Sequence, residues 1–189
     1  MVNIVNVGYD STHYYALEGS RGILLVDCGW PGTLPKMLAQ LKRKGVDPGR
    51  IRCLMVTHFH PDHAGIVQEI KNLGPTFIML ESQPAFIKPM EEIFARRKLA
   101  YSAIQPEGTR ILKFGGSRAF LGELGIDGEI IATPGHSEDS VTLILDDGSA
   151  FSGDLQPRFA VADDDAVSRA SWERICEHKI SRLYPAHGQ

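Results

Sequence analysis

Cysteine is scarce in this 189-residue chain: Cys28, Cys53 and Cys176 stand far apart, with no Cys-x-x-Cys pair. An odd, dispersed set argues against a disulfide framework and against a thiolate metal site, and predicts reduced thiols in a cytoplasmic setting. Long apolar runs are missing too, so no segment reads as membrane-spanning. Met1 leads into an alternating stretch (Val2-Asn3-Ile4-Val5-Asn6-Val7) with no basic leader and no small-residue cleavage site, and no secretion signal is expected. Surplus charge is absent: a net charge of −3 gives no bulk attraction to nucleic acid or an anionic membrane. There are no repeats and no low-complexity linker. What is present is an ordinary globular composition, 43% hydrophobic and 23% charged, enough for one core over residues 1–189 but short for two domains.

The polar residues are better read once the elements are placed. Residues 2–8 alternate as a half-buried strand, followed by strands at Tyr14–Leu17 and Gly22–Val26. A helix follows, with Thr33 as its cap, Pro35 in its first turn and Gly45 as its stop. Ile51–Val56 predicts a buried strand, Ile66–Leu73 a helix and Thr76–Leu80 a strand. In residues 82–128, Phe86, Met90, Ile93 and Phe94 recur at helical spacing, as in a helix docked on the core. Pro84, Pro89 and Pro106 break this region into pieces, which suits an inserted helical cap over a site or a homodimer contact. Strands are predicted at Glu129–Thr133, Val141–Leu145 and Ala150–Ser152, the last two joined by an Asp146-Asp147-Gly148 turn. A helix over Asp165–Glu177 and a short strand at Arg182–Tyr184 complete the order. Strands and a helix, twice over, predict an α/β (α+β) sheet-on-sheet sandwich with helices on both outer faces.

The chemistry concentrates in Thr57-His58-Phe59-His60-Pro61-Asp62-His63-Ala64-Gly65, where a buried strand gives way to three imidazoles and a carboxylate. Neutral imidazole and carboxylate are ligands that zinc accepts readily. Asp27, His136, Asp154 and His187 also follow predicted strands, each near a glycine that allows a sharp turn. Any one of these residues alone reads as an ordinary polar group; together they would meet at one end of a sandwich. His58 and His60, two apart, can point the same way, whereas Asp62 and His63 would diverge toward a second ion. His13 and His178 match no pattern and read as surface groups, and Cys28 and Cys53 as small core residues. Ser137 and Ser140 lack the partners of a serine hydrolase.

In that order, Asp27, His58-x-His60-x-Asp62-His63, His136, Asp154 and His187 resemble the five motifs of the metallo-β-lactamase fold superfamily, from Asp27 to Gly188. The resemblance implies a four-layer αββα sandwich. It implies one zinc ion on His58, His60 and His136, a second on Asp62, His63 and His187, and Asp154 bridging them. Asp27 would hold the histidine loop through hydrogen bonds. Two such ions, about 3.5–4 Å apart, can share a hydroxide that attacks a carbonyl or phosphoryl group, which makes Asp62 and Asp154 the catalytic carboxylates. Iron or manganese are the alternative metals.

Aspartate at 154, where many β-lactamases of the fold have cysteine, is similar to the broader hydrolase branch of glyoxalase II thioesterases, lactonases and nucleases. Glyoxalase II carries an added helical domain, and this sequence stops two residues after His187. Acyl-homoserine lactonases place a tyrosine three residues past the bridging aspartate, where Pro157 stands here. The nucleases carry added RNA-binding elements that this acidic chain lacks. The expectation is a small cytoplasmic hydrolase of an ester, thioester, lactone or lactam, acting on a small molecule and independent of nucleic acid and membrane. The alternatives are a β-lactamase-like or nuclease activity of the same fold, or a mononuclear iron persulfide dioxygenase that uses His58, His136 and Asp154. Arg96, Arg97, Arg110, Lys113 and Arg118 read either as solvated charges or as an anion-binding patch, with specificity expected from residues 82–128 and the loops after Gly8 and Asp154.

Overall fold

The computed structural model describes residues 2–188, so Met1 and Gln189, on which the expectations about the two ends partly rest, lie outside the described residues. Asn3–Asn6 (β1), Tyr15–Glu18 (β2), Ile23–Val26 (β3), Ile51–Met55 (β4), Thr76–Leu80 (β5) and Thr109–Leu112 (β6) form one sheet, with strands adjacent in sequence order. The first three pair antiparallel; β3 to β6 pair parallel. The parallel centre explains the unbroken apolar runs Ile23-Leu24-Leu25-Val26 and Phe77-Ile78-Met79-Leu80, which are buried on both faces. A second sheet holds Gly128–Ala132 (β7), Val141–Leu145 (β8), Ser149–Gly153 (β9) and Arg182–Pro185 (β10), in the order β10-β9-β8-β7.

Helices cover the outer faces. Leu34–Arg43 (α1), the single turn Pro61–Ala64 (α2), Val67–Lys71 (α3) and Ile87–Arg97 (α4) lie in chain order along the six-stranded sheet. Met37, Leu41, Val67, Ile70, Met90 and Phe94 share one core cluster with Leu25 and Leu54 of that sheet. Ala166–Glu177 (α6) lays Trp172 and Ile175 over the other sheet, against Ile131 and Leu183. Asp165 caps it by accepting the Ser168 N–H at 3.0 Å. Between the sheets, Leu24, Met55, Ile78, Leu143 and Phe151 form the second core. This is the αββα sandwich.

One expectation changes, one pair of readings narrows and one element is new. Thr33 does not cap α1; its hydroxyl donates to the Trp30 carbonyl at 2.6 Å and meets the Tyr9 hydroxyl. Residues 82–128 fit the docked-helix reading better than the cap. Met90 and Phe94 of α4 are consumed by the first core, β6 extends the large sheet, and Ser117–Leu124 (α5) sends Phe120, Leu121 and Leu124 into the inter-sheet core. Those side chains bury more apolar surface inside the layers than they would as a lid. Finally, the turn α2 forms within the histidine stretch, where Pro61 starts a helix without losing an N–H bond. Among the described residues no helix is long and apolar enough to cross a membrane.

Candidate metal centre

Strand direction brings the site together. β3 and β4 run parallel, so Asp27 and the Thr57–His63 stretch leave the same edge of the large sheet. β7 is antiparallel to β8 and β8 to β9, while β10 is parallel to β9, so His136, Asp154 and His187 follow strands that all point one way. The sheets are joined here: the Val141 N–H donates to the Thr57 carbonyl at 2.9 Å. Gly153 has a φ of +57°, and a Cβ on it would sit 2.5 Å from Thr57 Oγ1. Only glycine lets β9 deliver Asp154 this close to the histidine loop.

All seven expected ligand residues converge. His58, His60, His136 and Asp154 offer donor atoms within 4.8 Å of one another, and so do Asp62, His63 and His187. Asp154 faces both groups. Its Oδ2 lies 3.4 Å from His136 Nε2 and 3.8 Å from His58 Nε2, while its Oδ1 lies 3.3 Å from His63 Nε2 and 3.4 Å from His187 Nε2. Asp62 Oδ2 is 3.0 Å from His187 Nε2 and accepts from the Thr12 hydroxyl.

The surrounding hydrogen bonds set which nitrogen faces the centre. Asp27, 2% exposed, accepts the Thr57 N–H at 2.7 Å and the Thr57 hydroxyl at 2.9 Å, and lies 3.0 Å from His63 Nδ1. The Thr57 hydroxyl proton goes to Asp27, so His58 Nδ1, 3.2 Å from Thr57 Oγ1, is the donor in that pair. His187 Nδ1 donates to the Ser11 carbonyl at 2.8 Å. Each arrangement commits Nδ1 and turns Nε2 inward. Asp27 thus bonds the histidine loop at Thr57 and His63.

Electrostatics follow from the geometry. Burial and the neighbouring imidazoles hold His58 and His60 below the usual histidine range, which keeps them neutral. Burial also disfavours an imidazolium at His63, but Asp27 and Asp154 outweigh it and push this pKa up to about 10. Asp154, which burial alone would raise, is held below its ordinary value by His63, His187 and His136. His58 Nε2, His63 Nε2 and Asp154 Oδ1 are buried and make no hydrogen bond. Leaving a buried polar atom unpaired costs about 1–3 kcal/mol, so three such atoms spread over the two groups fit cations that would accept their lone pairs once His63 is neutral. Two imidazole-rich groups sharing a carboxylate fit a pair of divalent ions.

Sequence patterns did not single out Asp139, Gln83 or His13. Asp139, 1% exposed, accepts the Phe59 N–H at 2.8 Å and pairs with the Ser137 hydroxyl, tying the His60 loop to the His136 loop. Burial raises its pKa. Gln83 donates to the Val56 carbonyl behind the same loop. His13, expected at the surface, lines a cavity of about 700 Å³ beside the centre with Tyr15, Leu155, Tyr184 and His187. No residue of 82–128 lines that cavity. Of the two readings of the basic residues, Arg110 and Arg118 fit solvated surface charges: Arg110 pairs with Glu123, and Arg118 with Glu129 and Asp146.

Similarity to known proteins agrees with this geometry. The chain is 28% identical to the probable metallo-hydrolase MJ0888 of Methanocaldococcus jannaschii, over 96% of this chain and 89% of that protein. It is 28% identical to a beta-lactamase-like protein 2 homolog of Drosophila melanogaster but spans only 58% of that protein's length. A hydroxyacylglutathione hydrolase of Xanthomonas axonopodis pv. citri is 27% identical over 77% of this chain, which spans 47% of that enzyme. Among solved structures, the metallo-beta-lactamase MIM-1 of Novosphingobium pentaromativorans superposes with a TM-score of 0.73 at 21% identity, over 98% of this chain and 73% of that one. TTHA1623 in a di-iron-bound form gives 0.73 at 24% identity, over 99% and 92%. The family model for the metallo-beta-lactamase superfamily matches residues 7–187, nearly the full length, and the chain belongs to that superfamily.

Proposed function

We propose that the chain is a metal-dependent hydrolase with a two-ion centre, cleaving an ester, thioester, lactone or lactam bond in a small molecule. The observation that carries this reading is Asp154, which turns one carboxylate oxygen to each of two complete ligand groups. His58, His60 and His136 would hold one ion, Asp62, His63 and His187 the other, and Asp154 both. Zinc suits these donors best. Two divalent ions there supply Lewis acidity and lower the pKa of a bound water. The chain's residues do the rest. Asp27, Thr57 and the Ser11 carbonyl fix the imidazoles in the tautomers that ligation needs. Asp62 and Asp154 supply the negative charge that balances the cations, and the substrate would enter through the adjoining cavity. The names of the relatives, a probable metallo-hydrolase and a hydroxyacylglutathione hydrolase, support hydrolysis.

Metal analysis of protein purified without added metal, followed by a panel of ester, thioester, lactone and β-lactam substrates, tests the reading. About two zinc ions per chain and turnover abolished by chelation are expected. One iron per chain with oxygen uptake on a persulfide would overturn it in favour of a dioxygenase. Metal-replete protein inert across the panel would overturn it outright.

A further inference from the structure

The cavity that opens onto Asp154, His136 and His187 has a wall chemistry that the proposed hydrolysis does not require. Ile4 and Tyr15 come from the first two strands, Leu155 and Phe159 from the segment after Asp154, and Leu183 and Tyr184 from β10. Among the described lining residues there is no lysine, arginine or glutamate, and the one carboxylate is Asp154 itself. The chain carries 20 basic residues, so this absence concerns placement, not supply. Two arginines adjoin the wall in sequence, and neither is among the residues that line the cavity. Arg158 donates toward Cys176 Sγ at 3.4 Å, and Arg182 donates to the Tyr184 hydroxyl at 3.1 Å. Phe159 is 90% exposed at the cavity, the most exposed large apolar side chain described. A phenyl ring held in water beside a reactive centre is stabilised by an apolar ligand that covers it. A cavity of about 700 Å³ lies within the usual size of a small-molecule site.

From these observations we infer that the cavity is the subsite for an uncharged, apolar acyl or alkyl group of the substrate, and that it selects against anionic conjugates. The inference rests on the hydrolase reading of the adjoining centre. It names the substrate class as esters, thioesters or lactones with an aliphatic or aryl arm about as long as a six- to ten-carbon chain. An arm ending in a carboxylate would lose its hydration against Leu183 and Phe159, with no lysine or arginine in the lining to receive it.

The test separates binding from turnover. Metal-loaded chain is titrated with butanamide, hexanamide, octanamide and the anionic succinamate, with binding read by calorimetry and saturation-transfer NMR. In parallel, kcat/KM is measured on p-nitrophenyl butyrate, hexanoate, octanoate and hemisuccinate. Full burial of one methylene is worth about a fourfold change, so affinity and kcat/KM should each rise about 2–4-fold per added methylene, and succinamate and hemisuccinate should be the poorest. Phe159→Ser, a change at an exposed position, should flatten that slope without changing metal content. Phe159→Arg should improve the hemisuccinate relative to the butyrate. A slope near one, or preference for the anionic member of each pair, would overturn the subsite. Graded amide binding with no turnover of these esters or of the thioester, lactone and β-lactam panel would uphold the subsite and sink the hydrolase reading, so the two fail separately.

Discussion

At the scale of single residues, the centre is a set of donor atoms, three of whose rings (His58, His63 and His187) are fixed by bonds made on the far side. Asp154 is the member whose loss both ion positions would feel, because its two oxygens face different groups. Asp154→Ala should lower metal content from about two ions per chain toward one, and turnover by more than about 100-fold, the upper range for even the outer partners of a metal site. Mass spectrometry of the isolated variant gives the count, and unchanged stoichiometry would show that Asp154 does not bridge. His63 makes a second prediction for metal-free protein. Its pKa rises from 6.5 to about 10 on folding, so its contribution is fully present below about pH 6.5 and is lost as pH climbs toward 10. Metal-free protein should therefore lose stability, on the order of a few kcal/mol, across that window, and Asp27→Asn should shrink the loss. Thermal melts at closely spaced pH values decide it. Because ligation needs neutral His63, metal uptake should also release protons and weaken as pH falls.

At the scale of elements, the loops matter through what ties them together. Asp139 joins the turn after His58 to the turn after His136 through one N–H and one hydroxyl. Asp139→Ala should leave both sheets intact but weaken metal binding about 10–100-fold, measured by competition with a chromophoric chelator. Gly153→Ala should cost about 1–3 kcal/mol in chemical denaturation, since φ is +57° and the new methyl would strike Thr57. Gly65 is equally crowded, a Cβ there meeting Pro31 Cδ at 2.4 Å. The strands outside residues 82–128 and the seven candidate ligand residues were legible because their signals are local: apolar runs, a dense histidine motif, glycines at strand ends. Asp139, Gln83 and His13 were not, because each is an unremarkable polar residue in sequence and acquires its partner only across the fold. The same reason hid residues 82–128. Proline spacing shows that the region is broken into pieces, but not which layer receives Met90, Phe94 or Phe120.

At the scale of the whole molecule, the αββα sandwich holds two half-sites that belong to different sheets. Asp27 and the His58–His63 stretch hang from one, His136, Asp154 and His187 from the other, so inter-sheet packing sets the distance between them. Phe120 of α5, 2% exposed, fills the end of that packing. Phe120→Ala should cost about 3–5 kcal/mol in urea denaturation and also weaken metal binding, although the side chain is not part of the centre. Loss of stability with unchanged metal affinity would show that the half-sites are held by their loops alone.

The contact between His187 Nδ1 and the Ser11 carbonyl joins residues 176 positions apart. The His13 N–H makes a neighbouring bond to the Ala186 carbonyl at 2.7 Å, and the Ala186 N–H reaches the Gly153 carbonyl at 2.9 Å. A contact of such long sequence separation must lose its loop-closure entropy before it returns anything, which favours its forming after local structure. Capture of an ion by the His187 group should therefore be the last kinetic event of refolding, trailing the burial of the core. A metal-sensitive dye would then report the docking of residues 182–187 as a phase separate from collapse, and the ion would serve the molecule as a clock.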